Sequence, residues 1–415
     1  MTSKSMCCVT AMIALCAAGT ASAAGKPLFQ SSQYVSKAVA GEPALTRLLA
    51  NPATSAVQRV QVDAAAVDGT QRQLELELLG QRVTATLLKT EQLEGGNSIW
   101  YGNLGAAATA RGRTLSGLDP LNSAILVRSG DTVTGTIRSN GRLFHLRPIS
   151  GGHALVEVDE RRLPADHPAD YGLLPTIQMP QSLIDERVGT AGASAGPTAT
   201  IRVLVVATNQ AVSGYGGNMQ SLVQLAVAES NQGYVNSNVG INLVLAGYST
   251  TSYAESGNFT TDLNRFRGTS DGYMDAIHTT RNSVAADVGV LVIDNSSYCG
   301  LASGIGSTAA TAFAAVYWDC ATGYYSFAHE IGHLQSARHD LATDPSTSPY
   351  PYGHGYRYGN SWRTIMAYNC SSNCPRLNYW SNPNISYGGV PMGNASTADN
   401  QRVLVNTKAT IAGFR

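Results

Sequence analysis

The chain has 415 residues, more than one ordinary domain needs and about enough for two. Its 28 basic and 28 acidic side chains cancel, so it lacks the basic surplus of a protein that grips nucleic acid by its phosphates. A hydrophobic content of 43% can fill cores and excludes a disordered tail.

The first 23 residues read as a signal peptide: Lys4 gives a positive start, Met6 to Ala18 is apolar, and Ala21-Ser22-Ala23 offers small residues for cleavage after Ala23. The apolar run is well short of the ~20 residues that span a bilayer, and no later segment reads as a transmembrane helix. The expectation is therefore a secreted protein with no membrane attachment. Cys7, Cys8 and Cys16 leave with the signal peptide. Cys299, Cys320, Cys370 and Cys374 remain, an even set that suggests two disulfides in an exported chain. Of the three pairings, Cys370–Cys374, close in sequence, with Cys299–Cys320 is favoured.

Residues 24–188 carry short alternating runs separated by turn residues: Leu74 to Val83, Ala124 to Val127, Thr132 to Ile137 and Ala154 to Val158, with Ser139-Asn140-Gly141 as a hairpin signal. This region is expected to be β-rich. Residues 189–197 (GTAGASAGP) have no apolar face to bury and read as a linker open to proteolysis. From 198 to 415 the pattern changes. Ile201 to Ala207, Ile241 to Ala246 and Val288 to Ile293 read as buried strands. Asn218 is placed to cap a helix running to Asn236, and Leu263 to Thr280 reads as a second helix interrupted near Gly268. Alternation of this kind predicts a mostly parallel sheet. Gly304 to Tyr317 is a candidate edge strand, Tyr325 to Ala337 a helix, and Ala398 to Ala412 the final helix.

The chemistry lies in residues 329–339, HEIGHLQSARH. His329 and His333 stand four apart on one helix face and can share a zinc ion. Glu330 points elsewhere and can reach a zinc-bound water, take its proton and deliver it to a leaving amine. His339 is the candidate third ligand. It lies six residues after His333, so the chain must break and turn back to bring it to the metal. Glycine normally makes such a turn, but Ser336 holds the position, at a cost on the order of 1 kcal/mol.

HEIGHLQSARH followed by Thr364-Ile365-Met366-Ala367-Tyr368, with Met366 27 residues after His339, resembles the metzincin clan of zinc endopeptidases. Within it, residues 198–415 resemble the bacterial reprolysin-like enzymes, above all the peptidyl-Asp metalloendopeptidase family; WRTIMAYNC, YWSNPNISYGG and the closing TIAGFR contribute. The resemblance implies an α/β metzincin catalytic domain: a twisted, mostly parallel sheet, an active-site helix and a small C-terminal subdomain with a Met turn. It implies a β-rich prodomain at 24–188 that inhibits the enzyme until the linker is cut. It also implies Met366 as an apolar floor beneath the zinc, and Tyr368 as an extra ligand or a stabiliser of the reaction intermediate. Asp340 after His339 matches the family's ending of the motif.

The expected activity is zinc-dependent endopeptidase action on a protein or peptide by a monomer, and the resemblance implies a preference for bonds N-terminal to Asp. An extended substrate would lie along Gly304 to Ala312. An acidic side chain in the adjoining pocket needs a cation, for which Arg376 and Arg363 are the candidates; a solvated surface position is the plainer expectation for both. No cysteine lies between residues 24 and 298, so a propeptide thiol cannot block the metal, which leaves a carboxylate or simple steric cover. His354 is expected to hydrogen bond within a loop and His278 to be structural, while His145, His153 and His167 fall in the N-terminal region. A zinc hydrolase acting on cell-wall peptides and a non-catalytic binding protein on the same scaffold are the competing readings.

Overall fold

The computed structural model describes residues 25–36, 41–105, 117–168, 174–179 and 196–415. The signal-peptide region and positions 189–195 of the linker lie outside the described residues. Among the described residues no helix is long and apolar enough to cross a membrane.

The N-terminal half is the expected β-rich unit, a ten-stranded sheet. Seven consecutive strands, from Gln73–Leu78 to Gly152–Val158, form an antiparallel meander. Leu74 to Val83 is a hairpin and not one run. Leu79 and Gly80 both take positive φ (51° and 86°) and turn the chain between Gln73–Leu78 and Gln81–Gln92. Strand Thr54–Val62 then pairs with Gly152–Val158, and Phe29–Val35 pairs with Thr54–Val62. The two ends of the sheet meet at buried Leu28. Its N–H donates to the Glu75 carbonyl and its carbonyl accepts from Asp63 N–H, each at 2.9 Å. Both edges are thereby tied, and Trp100, Leu126, Phe144 and Leu155 fill the interior.

The C-terminal half is built on a five-stranded sheet. Ile241–Thr251, Ala199–Thr208, Val288–Ile293 and Phe313–Tyr317 run parallel in that spatial order. The helix Met219–Asn236 starts where expected, with the Asn218 side chain accepting from Ser221 N–H. Its Leu225 and Ala228 join Ile99, Tyr101, Ile125 and Val127 of the N-terminal sheet in one apolar cluster. The predicted Leu263–Thr280 helix is two helices, Phe259–Arg267 and Ala276–Ser283. Gly268 ends the first in an extended conformation, with the Asp271 carboxylate packed where a side chain would stand. The candidate edge strand Gly304–Tyr317 is also corrected. Only Phe313–Tyr317 is a strand, and the true edge is Gly300–Ala302, paired antiparallel to it. Both predicted disulfides, Cys299–Cys320 and Cys370–Cys374, are formed. The first ties the start of the edge strand to the loop leading into the helix Ser326–Leu334, and so fixes two walls of the site described next.

Candidate metal centre

The helix Ser326–Leu334 carries His329, Glu330 and His333, all buried. It packs against the edge strand and its neighbour, and it crosses closely over the loop that follows. A Cβ on Gly332 would lie 2.6 Å from the Trp380 ring and 3.1 Å from Met366 Sδ, so glycine lets the helix seat on these two side chains. The helix then ends as the sequence requires. Ser336 takes φ 76°; its N–H donates to His333 O at 2.9 Å and the Ala337 N–H to Gly332 O at 3.0 Å. This is the Schellman pattern with serine in the left-handed position. It turns the chain back and delivers His339.

The three imidazoles meet. Their Nε2 atoms lie 3.0 Å (His333–His329), 3.1 Å (His329–His339) and 3.1 Å (His333–His339) apart. The tautomers of two are set by backbone carbonyls, which can only accept: His329 Nδ1 donates to Ile365 O at 2.9 Å, and His333 Nδ1 to Ala337 O at 2.8 Å. Their Nε2 lone pairs therefore point at one another. Burial, with the neighbouring imidazoles adding to it, pushes all three side chains well below the ordinary histidine value, so they are neutral. Converging neutral lone pairs repel unless a cation lies between them. A tetrahedral ion with bonds of about 2.0–2.1 Å separates its ligand atoms by about 3.3–3.4 Å, close to this triangle. The residues present thus fit a metal ion.

A fourth imidazole stands at the same place. His167, from the segment after the last strand of the N-terminal sheet, joins His329, His333 and His339 in a buried group whose candidate ligand atoms all lie within 4.8 Å. Its Nε2 is 3.0 Å from Glu330 Oε1, and its Nδ1 is 3.2 Å from the Tyr368 hydroxyl. Burial raises the Glu330 carboxyl above its ordinary value, against the lowering effect of His167. Tyr368 packs its ring 4.4 Å from that of His339, and burial pushes its phenol well up, so it stays protonated. Its N–H is held by Asp340 Oδ2 at 3.0 Å. His354 lies outside the cluster, and its Nδ1 donates to His339 O at 2.9 Å, bracing the third imidazole as a loop residue would. His278, on the helix Ala276–Ser283, contacts the carbonyl of Gly268 at the end of the preceding helix.

The two arginines are not solvated. Arg376 and Arg363 are both fully enclosed, and each forms its ion pair with Asp166, the residue before His167. Arg376 reaches Asp166 Oδ2 at 2.7 Å, donates to Tyr324 O at 2.9 Å and stacks over the Tyr324 ring. Arg363 lies 3.8 Å from the same oxygen. Burial alone would raise the Asp166 carboxyl, but Arg376 and Arg363 outweigh it and hold the group below the ordinary carboxylate range.

Around these residues the N-terminal segment follows the edge strand of the C-terminal sheet. Cys299 N–H donates to Ala165 O at 2.9 Å and Gly300 N–H to Asp166 O at 3.2 Å. Further on, Ile305 N–H donates to Pro175 O and Ile177 N–H to Ile305 O, in a parallel bridge. The stretch expected to receive substrate, from Gly304 on, is thus already covered by this chain. Sequence reasoning missed Asp166 and His167 because no spacing links them to a motif 162 residues away; the one available signal is that Asp-His-Pro follows the last strand of the N-terminal unit.

Comparison with known proteins agrees with this site. Residues 197–381 match the model of Reprolysin_5, metallo-peptidase family M12. A peptidyl-Asp metalloendopeptidase of Xanthomonas campestris pv. campestris is 72% identical over 420 residues, covering 100% of both chains. One of Stenotrophomonas maltophilia (strain R551-3) is 70% identical, covering 95% of each. One of Pseudomonas fragi is 62% identical over 189 residues, which are 45% of this chain and 100% of that one. With such identity over its full length, and a buried histidine cluster able to hold a metal, this chain is a metalloendopeptidase and belongs to the peptidyl-Asp metalloendopeptidase family.

Proposed function

We propose that the chain is a secreted zinc endopeptidase of metzincin type, cutting peptide bonds on the N-terminal side of Asp, with residues 24–188 as an inhibitory propeptide released by cleavage in the 189–197 linker. The observation that carries the metal assignment is the triangle of Nε2 atoms at 3.0–3.1 Å, with the protons of His329 and His333 held on the opposite nitrogens. Three neutral histidines with one open side suit zinc in a catalytic site. Zinc held there lowers the pKa of bound water to about 7 and polarises a carbonyl oxygen.

The rest falls to this chain's side chains. The Glu330 carboxylate accepts the proton of the attacking water and passes it to the amine nitrogen as the C–N bond breaks, a role worth roughly 10²–10⁴-fold in rate. The Tyr368 hydroxyl, protonated and beside the cluster, donates a hydrogen bond to the carbonyl oxygen as it gains charge. Met366, packed under the helix at Gly332, is the apolar support expected of a Met turn. Arg376, enclosed and paired with Asp166 next to the cluster's His167, receives the aspartyl side chain. The relatives' shared name supports this preference.

Zinc analysis and cleavage-site mapping test the reading together. One zinc per chain, cuts before Asp, and their loss in Glu330→Gln with zinc retained are the expected results. Undiminished proteolysis by Glu330→Gln, or a chain that binds no zinc, would falsify the assignment.

A further inference from the structure

We propose that Asp166-His167 is a built-in pseudosubstrate latch: the Asp166 carboxylate fills the acid pocket at Arg376 while the His167 imidazole takes the open coordination position of the metal. The inference rests on the zinc-endopeptidase reading above and adds the means by which the N-terminal half silences it.

Three observations converge on it. First, Arg376 is fully enclosed, and among the described residues its only ion-pair partner is Asp166 of the N-terminal half. A buried guanidinium without an anion is costly, so the catalytic half alone keeps a cation waiting for a carboxylate. Asp166 supplies in the uncut chain what an aspartyl substrate supplies afterwards. Second, His167 Nε2 stands 3.0 Å from Glu330 Oε1, where a water must stand to hand its proton to that carboxylate. The fourth imidazole therefore occupies the nucleophile's place. It lies somewhat outside the tight triangle, since the four candidate atoms spread to 4.8 Å, and it would be the fourth residue to hold the metal. Third, backbone bonds from Cys299, Gly300 and Ile305 hold the strap on the edge strand on both sides of this pair.

The order of the two residues explains why the strap is not cut. A substrate cleaved before Asp presents to the metal the carbonyl of the residue preceding its Asp. Here the group at the metal belongs to the residue that follows Asp166. The strap therefore crosses the site in the reverse direction, consistent with its parallel bridge at Thr176–Ile305. It fills both recognition positions and offers an imidazole where the scissile carbonyl would be.

The test uses the full chain, held uncut by Glu330→Gln and loaded with cobalt(II). Two quantities are read: the visible absorption of the bound cobalt, and the rate at which metal passes to a competing chelator. His167→Gly should change the spectrum and speed metal loss at least tenfold, and added imidazole should restore the spectrum. His167→Gln, which keeps bulk but binds metal poorly, serves if the glycine variant does not fold. In a second arm, a fluorescent Asp-containing peptide should bind the uncut Asp166→Ala/His167→Gly chain but not the parent, at least tenfold more tightly than its Asn counterpart. Arg376→Gln should remove that preference. If the parent binds one metal and the His167 variants match it in spectrum and release rate, the latch is wrong while the zinc reading stands. Equal binding of Asp and Asn peptides overturns the role given to Asp166. Failure of the parent to bind metal, or metal binding unaffected by His333→Ala, overturns the zinc reading itself.

Discussion

Gly300 is the residue whose side chain would do most harm by existing. It lies on the edge strand, and its backbone is not in the left-handed region, so alanine is conformationally acceptable there. A Cβ at this position would nevertheless lie 2.7 Å from both Cγ and Cδ of Glu330. Its Oε1 is nearer still, and ordinary contact begins near 3.4 Å, so the carboxylate must retreat by about 1 Å or the strand must bow outward. Displacing a proton acceptor by about that much costs on the order of 10²-fold in rate, or about 2.7 kcal/mol of activation free energy. The three atoms nearest the new methyl group all belong to Glu330 and none to a metal ligand. Gly300→Ala should therefore keep one zinc per chain while the processed enzyme loses about 10²-fold in kcat/KM on an Asp-containing peptide. The comparison needs zinc analysis, steady-state kinetics and melting curves on the same preparations. A kcat/KM within threefold of the parent's would show that Glu330 has room to spare and that the walls of the site do not position the base.

Four further outcomes are expected. Gly304→Ala places a methyl group 2.6 Å from Pro175 O and 2.8 Å from Ile177, so it should speed release of the strap without slowing the processed enzyme; limited proteolysis of the uncut chain reads this. Ser336→Gly should retain full metal loading, whereas Ser336→Val, β-branched at φ 76°, should weaken metal binding tenfold or more in a chelator competition, because only His339 depends on that turn. Tyr368→Phe should lower kcat by about 10²-fold with little change in KM if its hydroxyl acts only as charge develops, and an unchanged kcat would remove it from the chemistry. Glu229, buried with its Oε2 accepting from Gly323 N–H at 2.8 Å, is pushed up from 4.5 to about 7 by burial. Its folded value exceeds its unfolded one, so it costs nothing below about pH 4.5, progressively more between there and pH 7, and its full penalty, roughly 3 kcal/mol at most, above pH 7. Glu229→Gln should therefore raise the melting temperature more at pH 8 than at pH 5; a shift independent of pH would contradict the burial argument.

What could be read from sequence was what local chemistry determines. His329 and His333 follow from helical periodicity, and the break that returns His339 was required by its spacing before it was seen at Ser336. The buried strands of the parallel sheet announce themselves because both faces are covered and the runs are continuously apolar. The alternation of the N-terminal half marks its strands, but a two-residue turn such as Leu79-Gly80 inside an alternating run hides a hairpin. The edge strand was misplaced because the small residues after Gly304 have little strand preference of their own, and what orders them is the strap lying against Ile305. Arg376 and Arg363 looked like surface residues because charged side chains usually are. The one carboxylate that pairs with them among the described residues is Asp166, 210 positions before Arg376. His167 was invisible for the same reason: its partners are assembled by the docking of two halves, and no local pattern encodes that.

That docking has a kinetic side. In the proposed latch Asp166 and His167 are tethered to the site while the linker is intact, and a tether of this kind corresponds to an effective concentration of about millimolar. Soluble peptides at micromolar levels displace it only if they bind about a thousandfold more tightly. Once the linker is severed, the same contacts join two separate molecules and their occupancy follows ordinary mass action. Activation by the proposed latch then takes two events, a cut and a dilution, and a concentrated stock of cut enzyme is expected to stay silent until it spreads into a larger volume.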